Sequence, residues 1–277
     1  MRVRTAVVQP VTPMYPNEAE SLPEALRYID QAADQGVQIL CFPESYPGCW
    51  KMPIRYSPVP EVAAKAKQRG LYVVCGDLED ARPERDGVYT LLVLIGPDGR
   101  VAGKYRRTSP IAPWMYPGGR FWDFPYQTGD ELPVFDTDVG RVALLMCSEV
   151  YVPELARIVA IKGAEICFLP AGAPKTTLWH TWRNLTWARA SENLMYTATC
   201  QNLFGVEDGL AMICSPEEVL VESKQEGLFV ADLDLDRVRW LRNEWDVSEY
   251  PRRWKTKPGV FKQWRRPELY RKNCEDW

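Results

Sequence analysis

The stretch of sequence that decides the fold is GRVALLMCSEVYVPELARIVAIKGAEICFLPAG, residues 140–172. Its first apolar run, VALLM, predicts a buried strand that ends at Met146 or Cys147. Residues 153–162 then predict a helix, and AEICFLPAG predicts a second buried strand. A strand, a helix and another strand in succession are typical of a layered α/β fold.

The same alternation of strands and helices continues on both sides of this stretch. VRTAVVQP, VQILCFPES and LYVVCG predict strands, and residues 18–35 and 60–69 predict helices. GVYTLLVLIGPDGRVAGKYRR predicts a hairpin that turns at residues 97–99. Further strands follow later in the chain, with helices predicted over residues 176–193 and 234–242. The pattern predicts an α/β protein in which a large mixed sheet, or two sheets, is covered by helices.

No repeat or low-complexity linker divides the chain, so residues 1–277 are expected to form one domain. Residues 243–277 form a tail with little helical or strand periodicity. The basic residues of this tail are mixed with Trp, Tyr and Pro, which favours an interface over a nucleic-acid site. We therefore expect the tail to cover the domain or a partner subunit.

Composition argues against several classes of function. The formal net charge is −3 and charges of both signs alternate, so neither nucleic acid nor an anionic membrane is indicated as a partner. No apolar run approaches bilayer length, and MRVRTAVVQP lacks the features of a secretory signal, so a cytoplasmic protein is expected. The chain has eight cysteines, mostly inside apolar runs, and one histidine. This predicts buried free thiols and no metal site.

Three reactive side chains each come just where a predicted strand ends. They are Glu44 after ILCFP, Lys104 after the hairpin strand, and Cys147 after VALLM. Strand ends in layered α/β folds are where loops carry active sites. A thiolate can attack a carbonyl carbon, a carboxylate can move its proton, and an ammonium can stabilise the oxyanion. Taken singly, each residue has a non-catalytic explanation: Cys147 could be a core cysteine, Glu44 a surface glutamate and Lys104 a solvated lysine.

The sequence around these residues resembles that of the nitrilase (carbon–nitrogen hydrolase) superfamily. Matching segments occur in the family's order along most of the chain. They are FPE at 42–44, GKYRR at 103–107, MCSEVYVPELAR at 146–157, GAEICFLPAG at 163–172, WARASENLMYTATCQN at 187–202 and DLDLDRVRWLR at 232–242.

The resemblance implies a four-layer α-β-β-α sandwich that forms homodimers through its helical layers, with the tail reaching across. It maps the family's catalytic triad onto Glu44, Lys104 and Cys147, with the backbone N–H of Ser148 as an oxyanion donor. Neither a metal nor an organic cofactor is implied. Glu149 is expected to brace the nucleophile turn. Glu154 is expected to start or brace the following helix.

The chain departs from the family pattern after the lysine. Most members have a second glutamate there, and between Lys104 and Asp130 this chain has none. Asp123 is the nearest candidate for a replacement. If that role is lost, the water step is in doubt, and an acyltransferase becomes an alternative.

Four functions follow from the resemblance and stay open at this point. The leading one is an amidase or N-carbamoyl amidohydrolase acting on a small molecule. The alternatives are a nitrilase, an acyltransferase and a non-catalytic binding protein of the same fold.

Overall fold

In the part of the chain that the structure describes, two six-stranded β-sheets face each other, and helices cover their outer faces. The structure is a computed structural model that describes residues 1–13, 16–50, 52–84, 86–109, 126–172, 178–205, 208–243 and 266–273. The strands are β1 Arg2–Gln9, β2 Ile39–Cys41, β3 Tyr72–Asp80, β4 Val88–Ile95, β5 Val101–Arg106, β6 Val134–Thr137, β7 Gly140–Leu144, β8 Ile166–Phe168, β9 Tyr196–Thr199, β10 Ala211–Cys214, β11 Val219–Ser223 and β12 Gly227–Asp234. The helices are α1 Ser21–Asp34, α2 Val59–Arg69, α3 Pro153–Ile161, α4 Trp179–Asn193, α5 Leu235–Asn243 and α6 Pro267–Asn273.

The two sheets are built on one plan. The first has the order β12-β1-β2-β3-β4-β5 and the second β11-β10-β9-β8-β7-β6. In each sheet three neighbouring strands run parallel, β1-β2-β3 in the first and β7-β8-β9 in the second. The outer strands pair antiparallel. Parallel strands place their carboxyl ends at one edge, so the loops after β2 and β7 are available for a site.

Two hydrophobic cores hold the layers together. The inner core joins the sheets, with Val7 and Ile39 of the first sheet in one cluster with Leu144 and Ile166 of the second. The outer core lies between the first sheet and the apolar faces of α1 and α2. α3 and α4 cover the second sheet, where Trp182 is almost fully buried. The predicted α-β-β-α arrangement is confirmed.

The ends of the helices follow from their sequence. α2 stops at Gly70, which takes the left-handed conformation with φ 71° that glycine tolerates best. α3 begins with Pro153 in its first turn, where proline's missing N–H costs nothing.

Of the C-terminal tail, residues 244–265 and 274–277 lie outside the described residues. A short helix, α6, was not predicted from the sequence and is present in the described part of the tail.

No helix among the described residues is both long enough and apolar enough to cross a bilayer.

Candidate active site

Glu44 lies in a tight turn after β2 and is almost fully buried, with 2% of its surface exposed. The next residue, Ser45, has φ 61°, a conformation that is unfavourable for a residue with a side chain. β3 approaches this turn so closely that a Cβ on Gly76 would lie 2.2 Å from the Ser45 nitrogen. The Gly76 N–H also donates to the Tyr46 carbonyl at 2.9 Å. Glycine at 76 therefore lets β3 hold the Glu44 turn in its strained form.

Cys147 begins a single 3-10 turn, Cys147–Tyr151, between β7 and α3. It is fully buried, and its φ of 53° is again in the left-handed region. Its backbone N–H donates to the Pro170 carbonyl at 2.8 Å. Strained backbone of this kind persists only where the surroundings fix it, and it is frequent at active sites.

Glu149 supplies much of that fixing. Its carboxylate is fully buried and accepts five hydrogen bonds of 2.7–3.0 Å. The donors are the Met146 N–H, the Tyr105 hydroxyl, the Thr108 N–H and hydroxyl, and the Ser109 N–H. The carboxylate thus ties the turn at Cys147 to the end of β5, a place from which it can brace the turn.

Arg107 is the cation that the structure brings to Glu44. Its Nη1 donates to Glu44 Oε1 at 2.9 Å, and its Nη2 donates to the Ser148 hydroxyl. The side chains of this ion pair are only 7% and 2% exposed. One guanidinium therefore joins the carboxylate after β2 to the residue that follows Cys147.

Lys104, which the sequence analysis placed in the site, lies apart from this group in the structure. Its ammonium binds Glu79 at 2.9 Å, and its side chain is 52% exposed. The reason is the alternation of side chains along β5. Tyr105 belongs to the inner core, so Lys104 and Arg106 point to the opposite face, where both bind Glu79. Arg107, two residues after Tyr105, continues the inner face.

The remaining predicted residues have varied surroundings. Ser148 is buried, and its hydroxyl contacts Arg107, a contact that the sequence did not suggest. Glu154 is exposed in the first turn of α3, where a negative charge is favourable to the helix dipole. Asp123 lies outside the described residues.

The second oxygen of Glu44, Oε2, is buried and has no hydrogen-bond partner among the residues that the structure describes. A Cβ on Gly172 would lie 2.9 Å from Oε2 and 3.6 Å from the edge of the Trp50 ring. Trp50 also meets Phe204 edge to face, with ring centroids 5.4 Å apart. The free carboxylate oxygen thus faces a glycine, with an aromatic pair beside it.

Asn202 is a positioning residue that sequence reasoning missed. Its amide Nδ2 donates to the carbonyls of Glu44 and Gly172, both at 2.9 Å. Its Oδ1 accepts from the Thr12 hydroxyl at 2.8 Å. Asn202 comes shortly after β9, at the same sheet edge as the other loops, which is the signal that could have marked it.

The buried ion pair of Arg107 and Glu44 has a neutral phenol near it, that of Tyr126. Burial raises the pKa of Tyr126, and the nearby charge of Glu44 raises it further, so its hydroxyl stays protonated near neutral pH.

In the described part of the chain, no three His, Cys, Asp or Glu side chains come together as a metal site would require. A thiol, a carboxylate with one unbonded oxygen and a fixed guanidinium are the groups available for acyl chemistry.

Comparison with known proteins places the chain in a family. The family model described as carbon-nitrogen hydrolase matches residues 4–243. An omega-amidase of Xenopus laevis is 30% identical over 261 residues, covering 86% of this chain and 91% of that protein. A nitrilase of Pyrococcus abyssi is 30% identical over 258 residues, covering 86% of this chain and 92% of that protein.

Solved structures show the same fold. A crystal structure of an amidase from Nesterenkonia sp. has a TM-score of 0.72 at 23% identity, covering 86% of this chain and 92% of that one. A variant of that amidase carries the acetamide moiety of fluoroacetamide covalently on its active-site cysteine. It has a TM-score of 0.76 at 22% identity and covers 98% of this chain and 96% of its own. The resemblance found in the sequence is confirmed, and the chain is an enzyme that belongs to the carbon–nitrogen hydrolase family.

Proposed function

We propose that this enzyme hydrolyses the C–N bond of a small amide through a thioester on Cys147, with Glu44 as the general base. One observation carries the proposal. The Arg107 guanidinium donates both to Glu44 and to Ser148, the neighbour of Cys147. This bridge supports one buried site for the carboxylate after β2 and the thiol after β7, although about a hundred residues separate them in the chain.

The proposed reaction has two halves. Glu44 removes the thiol proton, and the Cys147 thiolate attacks the amide carbonyl carbon. The Ser148 N–H donates to the oxyanion, and the C–N bond breaks as Glu44 returns the proton to the leaving ammonia or amine. A water molecule then gives a proton to Glu44 and attacks the thioester. The carboxylic acid leaves, and the thiol recovers the proton.

The similar proteins support an amide substrate. The relatives include an omega-amidase, and the amidase variant from Nesterenkonia carries the acetamide moiety of fluoroacetamide on its active-site cysteine, which supports a reactive thiol. The nitrilase of Pyrococcus abyssi is equally similar at 30% identity, so a nitrile is the second candidate. The same thiolate could attack a nitrile carbon. Acyl transfer stays a prediction that depends on whether Asp123 replaces the second glutamate. The homodimer and the cytoplasmic location are separate predictions.

The decisive measurement is ammonia release from primary amides, N-carbamoyl compounds and nitriles by wild type and Cys147→Ala. We expect release by the wild type and a loss of at least about 10³-fold in Cys147→Ala, because a nucleophile has no substitute in covalent catalysis. Mass spectrometry of quenched reactions should find the acyl group on the peptide that contains Cys147.

Cys214→Ala is the matched control, since Cys214 is a buried thiol on β10. Equal activity of wild type and Cys147→Ala would show that the nucleophile is assigned wrongly. No release by the wild type from any substrate would contradict the proposed function.

A further inference from the structure

We propose that Arg107 is the fixed cation of this active site, in the role that the family resemblance gives to a lysine. By binding one oxygen of Glu44, it gives the two carboxylate oxygens different tasks. Oε1 is held by Arg107, and Oε2 is the oxygen that accepts and returns the proton. The inference deepens the proposed function and rests on it.

The first step is geometric. Arg107 binds Glu44 Oε1 through Nη1 and the Ser148 hydroxyl through Nη2. A guanidinium holds its N–H groups in one rigid plane, so these two bonds fix the direction of the carboxylate relative to the nucleophile turn. A lysine ammonium is a point charge on a flexible stem and sets no such plane.

The second step concerns charge. Glu44 is 2% exposed, and burying a charged group is costly unless it is paired. Arg107 is its ion-pair partner and is itself buried. Lys104 is directed to the opposite face of β5, where Glu79 holds it. Because a guanidinium does not lose its proton in proteins, Arg107 can stabilise charge throughout the cycle but cannot serve as the acid.

The third step distinguishes the two carboxylate oxygens. Oε1 already accepts from Arg107, whereas Oε2 is buried and, within the described part of the chain, accepts no hydrogen bond. Oε2 lies so close to Gly172 that a Cβ there would be 2.9 Å from it, so glycine allows the carboxylate to take this position. An oxygen with unused lone pairs is the one able to exchange a proton with the thiol, the leaving group and water.

The test compares Arg107→Lys and Arg107→Gln by the pH dependence of kcat/KM on the best amide. We expect Arg107→Gln to lose about 10²-fold in kcat/KM, as for other preorganised donors. Its acid limb should move to higher pH, because the site loses a positive charge beside its carboxylate. Arg107→Lys keeps the charge, so its acid limb should stay closer to the wild type while kcat/KM falls about tenfold for the lost bond.

Two variants on the same strand serve as comparisons. Arg106→Gln is the matched control, since it removes the same kind of cation from the opposite face, and both activity and acid limb should be unchanged. Lys104→Gln tests the alternative cation directly. If Lys104→Gln moves the acid limb and Arg107→Gln does not, the proposal is overturned.

A readout without turnover separates this proposal from the proposed function. The rate at which iodoacetamide alkylates Cys147 can be followed by mass spectrometry against pH in each variant. An alkylation profile that shifts in Arg107→Gln but not in Arg106→Gln supports the role of Arg107, even if no amide is hydrolysed. Identical profiles in wild type, Arg107→Lys and Arg107→Gln would overturn it, whatever the substrate proves to be.

Discussion

At the scale of single residues, two strained backbones lie next to the reactive groups. Ser45 follows Glu44, and Cys147 is the proposed nucleophile; both have positive φ. Each such residue costs of order 1–3 kcal/mol, which neighbouring contacts must offset. The five bonds to Glu149 and the close approach of Gly76 are contacts of this kind. The residues that fix the site are therefore as important to it as the residues proposed to react.

Gly172 provides a test of the free oxygen of Glu44. A Cβ at this position would lie 2.9 Å from Oε2 and 3.4 Å from Cδ of the carboxylate, so Gly172→Ala should force the carboxylate to turn. We expect kcat/KM to fall about 10²-fold, as for a displacement of about 1 Å in a reacting group. The melting temperature should change little, because only one side chain has to move.

Glu44→Asp gives this test its comparison. The shorter carboxylate should relieve the contact, so the double variant should lose less activity than the sum of the two single losses. An unchanged kcat/KM in Gly172→Ala would mean that Oε2 does not exchange the proton.

At the scale of elements, β5 shows what the sequence could and could not predict. Its hairpin and its position before the site are predicted from apolar runs and a Pro-Asp-Gly turn. Side chains alternate between the two faces of a strand, so Lys104 and Arg107 have different partners, Glu79 and Glu44. Tyr105 was the available signal, since a large aromatic residue belongs on the buried face together with Arg107.

Contacts between loops that are distant in the chain could not be predicted from the sequence pattern. Asn202 and Glu44 are 158 positions apart, and Arg107 and Ser148 are 41 apart. Local periodicity carries no information about which loops meet, so these contacts needed the arrangement of the two sheets. The strands and helices, by contrast, follow from local pattern, and most were predicted close to their observed bounds.

A substitution on β5 tests the assignment of its faces. A Cβ on Gly103 would lie 2.2–2.7 Å from three ring atoms of Phe135 on β6. Gly103→Ala should therefore destabilise the protein by about 1–3 kcal/mol through overpacking, although alanine is normally the better residue in a strand. Urea denaturation would measure the loss.

Ala102, the exposed neighbour of Gly103, is the control. Ala102→Val should change the free energy of unfolding by no more than about 0.5 kcal/mol, as is usual for surface positions. If Gly103→Ala is stabilising, the inner face does not contain residues 103, 105 and 107.

At the scale of the whole molecule, the site depends on both sheets at once. Glu44 and Arg107 come from the ends of strands in the first sheet, and Cys147, Gly172 and Asn202 follow strands of the second. No single sheet holds all the groups, so the packing of the inner core sets their distances. Whatever separates the sheets should abolish activity together with the fold.

Alkaline pH is expected to unfold the protein, because neutral phenols and thiols are buried in both of its cores. Burial raises the pKa of Cys214 to about 12, and burial with the charge of Glu226 raises that of Tyr28 to about 12. Burial also raises the pKa values of other side chains, among them Tyr46, Tyr56, Tyr105, Cys75 and Cys167. In the unfolded chain these groups ionise at their ordinary values of 9.0 for cysteine and 10.0 for tyrosine.

The sign of the effect follows from these directions. A group whose pKa is raised in the folded state contributes stability that is complete below its unfolded pKa and is lost as pH rises towards the folded value. We therefore expect the urea midpoint to be level up to about pH 8 and to fall steeply between about pH 9 and 12. Tyr46→Phe removes one fully buried phenol, so above pH 10 its stability should fall less steeply, by about 1.4 kcal/mol per pH unit. A midpoint that stays level to pH 11, or equal slopes in wild type and Tyr46→Phe, would mean that these phenols and thiols are not buried as described.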